Sequence, residues 1–287
     1  MQRYGLSLQI LSPVHIGSGE DLDPVEYVVN GEYFYRIDLP SILSDMPPAV
    51  RAEFDRAVNS PNPAAIRRFI QDRVDLSRHA LWHAGTGPEF VDTWQGNLGN
   101  PNLRLAVVLM TRSSSTWRSY IPGSSVKGAI RTALISTLAQ ARLGNRQADK
   151  ERFEKDVLGY QDARNDPFRC LRITDAFLPD CATFIDIVRI YNPGRRGNAD
   201  PGGIKMFYEQ CYSMLDGEQI QTRCELAIDD FLAAKECRGR RFIPMQLYAD
   251  QIIQACKEFY LFKLEQDTGN SMRTTRNLHR QIGPCSR

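Results

Sequence analysis

The residues best suited to chemistry lie in the run Tyr120-Ile-Pro-Gly-Ser-Ser-Val-Lys-Gly-Ala-Ile-Arg131. Gly123, Ser124 and Ser125 can present backbone N–H groups and hydroxyls at a helix start, where unpaired donors and the positive end of the macrodipole favour an anion. Lys127 and Arg131 are four apart and share a helix face. Gly128 between them is a poor helix former and marks a place where another group approaches the backbone. Together these residues imply capture of phosphate by charge and hydrogen bonds. A solvated helix face behind an ordinary serine cap accounts for the same residue types without a ligand. Turning about 100° per residue separates the two sides: Val126, Ala129, Ile130, Ala133 and Thr137 cluster as a core face opposite Ser124, Lys127, Gly128 and Arg131.

Charge distribution favours the anion. The chain has 36 Lys+Arg against 34 Asp+Glu, a formal +2 that selects no partner. Between Asp92 and Asp149, however, no acid occurs, while Arg104, Arg112, Arg118, Lys127, Arg131, Arg142 and Arg146 all fall there. A local excess of that sign around a phosphate-ready loop points to a polyanion. Trp117 and Tyr120 beside it offer faces on which bases can stack. A second basic tip, Arg195 and Arg196, lies in the glycine-rich loop 192–203 and suits a flexible RNA contact.

A different chemistry is conceivable around Ser12-Pro-Val-His-Ile-Gly-Ser-Gly-Glu20. His15 there, with Lys127 or Tyr120, has the parts for acid–base cleavage of RNA. Asp21 or Asp23 suits a divalent ion beside a phosphate. The same imidazole, next to Gly17 and Gly19, is equally placed to bond backbone and fix a turn, or to touch RNA. The assignment is therefore no catalytic residue, with His15 and Asp21 as the alternative. No metal site or cofactor is expected: the acids 20–26 lack the glycine of a calcium loop, His79 and His83 are four apart without an HExxH signature, and the seven cysteines include no Cys-x-x-Cys.

The elements that must position these residues follow from periodicity. At 287 residues and 42% hydrophobic content the chain can bury one large core or two small ones. Its apolar runs are too short to span a bilayer and its first residues lack a signal-peptide pattern, so a cytoplasmic protein without a membrane partner is expected. Leu6, Leu8 and Ile10 alternate as in a strand. A glycine-rich turn follows, and two β-rich runs around Asn30-Gly31 signal a hairpin. Residues 48–83 read as helical, 103–110 as a buried strand, 124–143 and 148–158 as helices. Strands are expected at 170–174, 183–190, 205–214 and 219–228, with helices at 229–236 and 245–265. This order predicts an α+β fold with antiparallel strands. The expected division is a core formed by 1–47 and 84–230, a helical insertion at 48–83 and a C-terminal helical region at 231–287.

Two segments, Leu11-Ser-Pro-Val-His-Ile-Gly-Ser-Gly19 and 120–134, together resemble the RAMP superfamily of CRISPR effector and processing proteins. A third echo is Phe168-Arg-Cys-Leu-Arg-Ile-Thr-Asp-Ala-Phe177, similar to that family's strand ending in a small residue and Asp. The resemblance implies a modified RRM-like (ferredoxin-like) core with helical insertions and C-terminal helices. Within the superfamily, residues 15–27 followed by the hairpin 33–38 are most similar to the type III-A (Csm) effector subunit that caps the crRNA 3′ end. That implies a non-catalytic, crRNA-binding structural subunit that supports assembly and crRNA maturation. Its expected partners are crRNA, target RNA and neighbouring RAMP backbone subunits. The expected RNA-binding residues are His15, Gly17, Gly123, Ser124, Ser125, Lys127, Arg131, Arg195 and Arg196. The alternative implied is a RAMP-type endoribonuclease acting on repeat or target RNA. The family's glycine-rich loop after the last helices has no counterpart in 281–287, which reads as a shortened or divergent member.

Overall fold

The computed structural model describes residues 1–143, 152–188, 206–215, 217–237 and 239–281. Strand β1 (Gln2–Gln9) keeps the expected alternation, with Leu6 and Leu8 half-buried between exposed neighbours. The expected turn after it is in part a strand, β2 (Gly17–Leu22), whose register slips between Gly17 and Asp21. Gly19, at φ 84°, supplies the left-handed residue that such an irregularity needs. The hairpin forms as β3 (Tyr27–Asn30) and β4 (Tyr33–Ile37), with Gly31 at φ 60° in a two-residue connection.

Helices α1 (Leu39–Asp45), α2 (Pro48–Val58), α3 (Ala64–Arg73) and α4 (Leu76–His79) follow. The helical reading through His83 ends early, because residues from Ala80 form strand β5 (Ala80–Thr86). Trp82 and Ala84 are buried while His83 is exposed, a period of two, and β5 pairs with β4 through Tyr35 and His83. Next come α5 (Pro88–Asn97) and β6 (Val107–Met110). The strand expected from 103 starts late because buried Leu105 adopts φ 51°, outside the strand region. The remainder is β7 (Tyr120–Ile121), α6 (Gly123–Leu143), α7 (Phe153–Leu158), β8 (Leu171–Ile173), β9 (Ala176–Phe177), β10 (Thr183–Val188), β11 (Met206–Cys211), β12 (Met214–Leu215), β13 (Glu218–Gln219), β14 (Gln221–Ile228), α8 (Asp230–Ala234) and α9 (Ala249–Gln281).

The chain divides into two compact units. The sheet unit, Ser7–Ile121 with Ala176–Arg223, holds a curled seven-stranded sheet in the order β2-β6-β11-β10-β5-β4-β3. The sheet is mixed: β10 runs antiparallel to β11, as expected of these strands, but β10–β5 and β11–β6 are parallel. The parallel pairs join strands far apart in sequence, a pairing no local turn signal announces. Phe34, Trp82, Phe90, Ile185 and Phe207 belong to its main hydrophobic core.

The helical unit, Met1–Leu6, Pro122–Asp175 and Cys224–Arg287, packs α6 against α7 and α9 over a sheet ordered β1-β14-β8. Ala133, Leu134, Val157, Leu158 and Ile252 form its core. The core face read from the sequence of α6 is the buried one for Ile130 and Ala133, while Thr137 is exposed. Among the described residues no helix is long and apolar enough to cross a membrane.

Candidate nucleic-acid interface

In the helical unit, the start of α6 is tied to the end of β8. A Cβ at Gly123 would overlap the carbonyl oxygen of Ile173, so only glycine admits this approach. The Gly123 N–H donates to Oδ1 of Asp175 at 2.8 Å, so the first donor of the helix already faces a carboxylate. Ser124 and Ser125 remain exposed beside it, and Gly128 opens onto free space.

The two cations behind this start differ. Lys127 Nζ donates to the carbonyl of Leu171 at 2.8 Å, and burial pushes its pKa down from the usual lysine value. An ammonium has three donors, and a half-buried Lys127 keeps part of that capacity toward solvent. Arg131 is committed more fully. Its Nη1 reaches both oxygens of Asp166 at 2.9 and 3.2 Å, its Nη2 lies 2.8 Å from Glu154 and 3.0 Å from the Tyr160 hydroxyl, and the guanidinium stands over Phe168. It pins α6 to α7 and to the short 3₁₀ turn Pro167–Cys170.

The sheet unit carries the other segment. His15 Nδ1 donates to the backbone carbonyl of Glu209 at 2.6 Å, and its ring meets Tyr208 edge-on, which fixes the imidazole in place. Gly17 is exposed, and a Cβ there would press on His15 Nε2 at 3.1 Å. Asp21 lies 3.5 Å from Arg104 and pairs with Val108 across β2 and β6. Glu209 is fully buried, and its carboxylate takes the guanidinium of Arg112 on one side and the N–H of Met110 on the other. Arg112 also donates to Thr183 and to the Trp117 carbonyl, and lies 3.6 Å above the Trp82 ring.

The acid-free window is thus acid-free in sequence but not in space. Arg104, Arg112, Arg118 and Arg131 each reach a carboxylate from outside it, while Lys127 and Arg142 reach backbone carbonyls. Burial separates these pairs. Arg112 and Arg131 are held inside, whereas Arg104 is 71% exposed with a weak surface partner 3.5 Å away; Arg118, 46% exposed, has a similar partner but also donates to the Leu178 carbonyl at 2.9 Å. Arg104 and Arg118 were legible only as members of the window.

His15 and Gly17 belong to the sheet unit, and Gly123, Ser124, Ser125, Lys127 and Arg131 to the helical unit. Arg195 and Arg196, and Arg146, lie outside the described residues. His79 ends α4 and is buried against Ser41, while His83 sits on β5 with Nε2 3.5 Å from the Cys181 thiol, so the helical spacing that would let both share an ion does not exist. Among the described residues no group of three or more His, Cys, Asp or Glu could hold a metal. Burial pushes the Cys211 thiol up to about 12, which keeps it a buried thiol rather than a nucleophile.

A family model described as the RAMP superfamily matches residues 7–210. The chain is 26% identical over 273 residues to "CRISPR system Cms protein Csm5" of Mycobacterium tuberculosis, covering 85% of this chain and 71% of the relative. The protein of the same name from Streptococcus thermophilus is 31% identical over 156 residues, covering 53% and 43%. Among solved structures, a chain of a Csm–crRNA–target RNA ternary complex of a type III-A CRISPR-Cas system superposes with a TM-score of 0.62 at 19% identity, over 91% of this chain and 76% of that one. The crystal structure of T. onnurineus Csm5 gives 0.59 at 18%, over 94% and 83%. Both share the fold.

Proposed function

The chain belongs to the RAMP superfamily, and from that premise we propose that it is a non-catalytic crRNA-binding structural subunit of a type III-A (Csm) effector complex, placed at the crRNA 3′ end. The observation that carries this reading is the similarity to Csm5 along 85% of the chain. In it the core is a modified RRM-like fold into which the helices within 48–83 are inserted, the partners are crRNA, target RNA and adjacent RAMP subunits, and the complex works in the cytoplasm.

The site geometry refines the roles. Ser124, Ser125 and Lys127 meet RNA phosphate directly, with Lys127 aimed by its bond to Leu171. Gly123 and Arg131 position them, the first by close approach to β8 and the second by anchoring α6. Arg104 adds a phosphate contact on the sheet unit, because an exposed and weakly paired guanidinium costs little to redirect. His15 supports the turn in this reading: its Nδ1–H is held by the Glu209 carbonyl and its ring is packed edge-on against Tyr208.

The test is the salt dependence of guide RNA binding. Lys127→Ala should weaken binding about equally for all sequences and lower the slope of log K against log salt by about one, and Arg104→Ala should do the same. Unchanged slopes in both variants overturn the assigned contacts. Cleavage of repeat or target RNA by clean wild type, abolished in His15→Ala or Asp21→Ala, would establish the nuclease alternative instead.

A further inference from the structure

Trp117 stands out because nothing in the proposed backbone contacts requires it. It is a bulky residue at φ 57°, a conformation that costs about 1–2 kcal/mol outside glycine. It is also 37% exposed at the tip of the loop 112–119. Its backbone is held at both ends: its N–H donates to the Ser113 carbonyl at 2.9 Å and its own carbonyl accepts from Arg112 Nη1 at 2.6 Å. Arg112 is in turn anchored by the buried Glu209. A chain of polar contacts rooted in the buried Glu209 therefore fixes an indole at the surface. Backbone held in a sparsely populated region by surrounding structure is a mark of function.

The indole borders a cavity of about 470 Å³, within the size range of small-ligand sites. Ser18 and Glu20 from β2, Arg36 from β4, Trp82 from β5, and Arg112 and Trp117 line it, all within the sheet unit. Trp117 gives the stacking surface, while buried Trp82 lies under the Arg112 guanidinium and forms the floor. Arg36, 22% exposed and paired with Glu26 at 3.0 Å, gives a cationic edge, and Ser18 a hydroxyl. The Glu20 carboxylate, on β2, forms no ion pair among the described residues and stands in the cavity wall. A carboxylate repels phosphate, so it speaks against a phosphate in this cavity. It accepts well from N–H donors, so it favours a flat ring with an exocyclic amino group.

We propose that this cavity takes one unpaired nucleobase of the bound RNA, stacked on Trp117, with Glu20 accepting from an exocyclic amino group and so selecting adenine, cytosine and guanine over uracil. This rests on the RNA-binding reading and deepens it. A base held this way adds a sequence preference to a protein whose other proposed contacts see only the backbone.

The experiment compares wild type and Trp117→Ala on a short single-stranded RNA and on the same ribose–phosphate chain without bases. Wild type should bind the base-bearing RNA about 10- to 100-fold more tightly than the abasic chain, Trp117→Ala should bind both alike, and Trp117→Phe should restore most of the difference. On homopolymers, oligo-C should bind more tightly than oligo-U, and Glu20→Gln should narrow that gap. Equal binding of both chains by wild type, a preference that survives Trp117→Ala, or oligo-U bound as tightly as oligo-C overturns the inference. Salt-dependent binding of the abasic chain would then still uphold the backbone contacts. No binding of either RNA at low salt removes both readings.

Discussion

The start of α6 and the edge formed by β2 and β6 share a composition of glycine, serine and nearby cations, yet they use it in opposite ways. At α6, Gly123 is needed because another backbone touches it, the first helix donor is taken by Asp175, and Arg131 is spent on Asp166 and Glu154. At β2, Gly19 meets nothing within 4 Å and is needed only for its φ of 84°. Its neighbours Ser18 and Glu20 face a cavity instead of a packed partner. The difference teaches that a basic, glycine-punctuated motif is as often a device for joining elements as a ligand site. Burial of the partners tells the two apart.

The comparison can be broken from its largest effect downward. Arg112→Ala leaves the fully buried Glu209 carboxylate without its cation, and should cost the sheet unit about 3–5 kcal/mol in urea unfolding. A cost below about 1 kcal/mol would mean that the pair is not buried as described.

Gly123→Ala forces a methyl group against the Ile173 carbonyl and should cost about 2–3 kcal/mol or prevent folding of the helical unit. Gly19→Ala has room for its methyl and should lose only about 1–2 kcal/mol, from the left-handed conformation. Reversal of that order in thermal melts would undo the contrast between the two glycine roles.

Arg131→Ala should destabilise by about 2 kcal/mol, because Asp166, 18% exposed, loses its forked partner, and Arg131→Lys should recover little of it. Arg104→Ala, an exposed residue with a partner at 3.5 Å, should stay within about 0.5 kcal/mol of wild type while weakening RNA binding. Arg131→Ala with full stability and weaker RNA binding would make that residue a ligand contact rather than an anchor.

Much of the fold was legible where local pattern decides. The hairpin at Asn30-Gly31, the helix from Gly123 and the alternation in β1 all follow from turn chemistry and periodicity. What escaped was set by distant partners. Strand β5 was hidden in a helical run because its identity comes from pairing with β4 and, in parallel, with β10. The glycine-rich stretch before Leu22 was taken for a turn because bulged edge strands carry turn residues.

At the site, residue types pointed to the start of α6, but the acids that neutralise Arg112 and Arg131 come from residues 154–209, which no spacing rule links to them. The cavity beside Trp117 was visible in sequence only as an aromatic near a basic loop. Its wall is built from β2 and β6 and from β5 and β4, two neighbouring pairs that stand apart in the strand order with β11 and β10 between them.

The account stands most directly on the RNA that travels with the protein. Sequencing the RNA that co-purifies with the full chain, from cells carrying a CRISPR array and the remaining complex subunits, should return repeat–spacer transcripts whose 3′ ends are phased at regular intervals. Bulk cellular RNA without enrichment of repeat-derived sequence would contradict it.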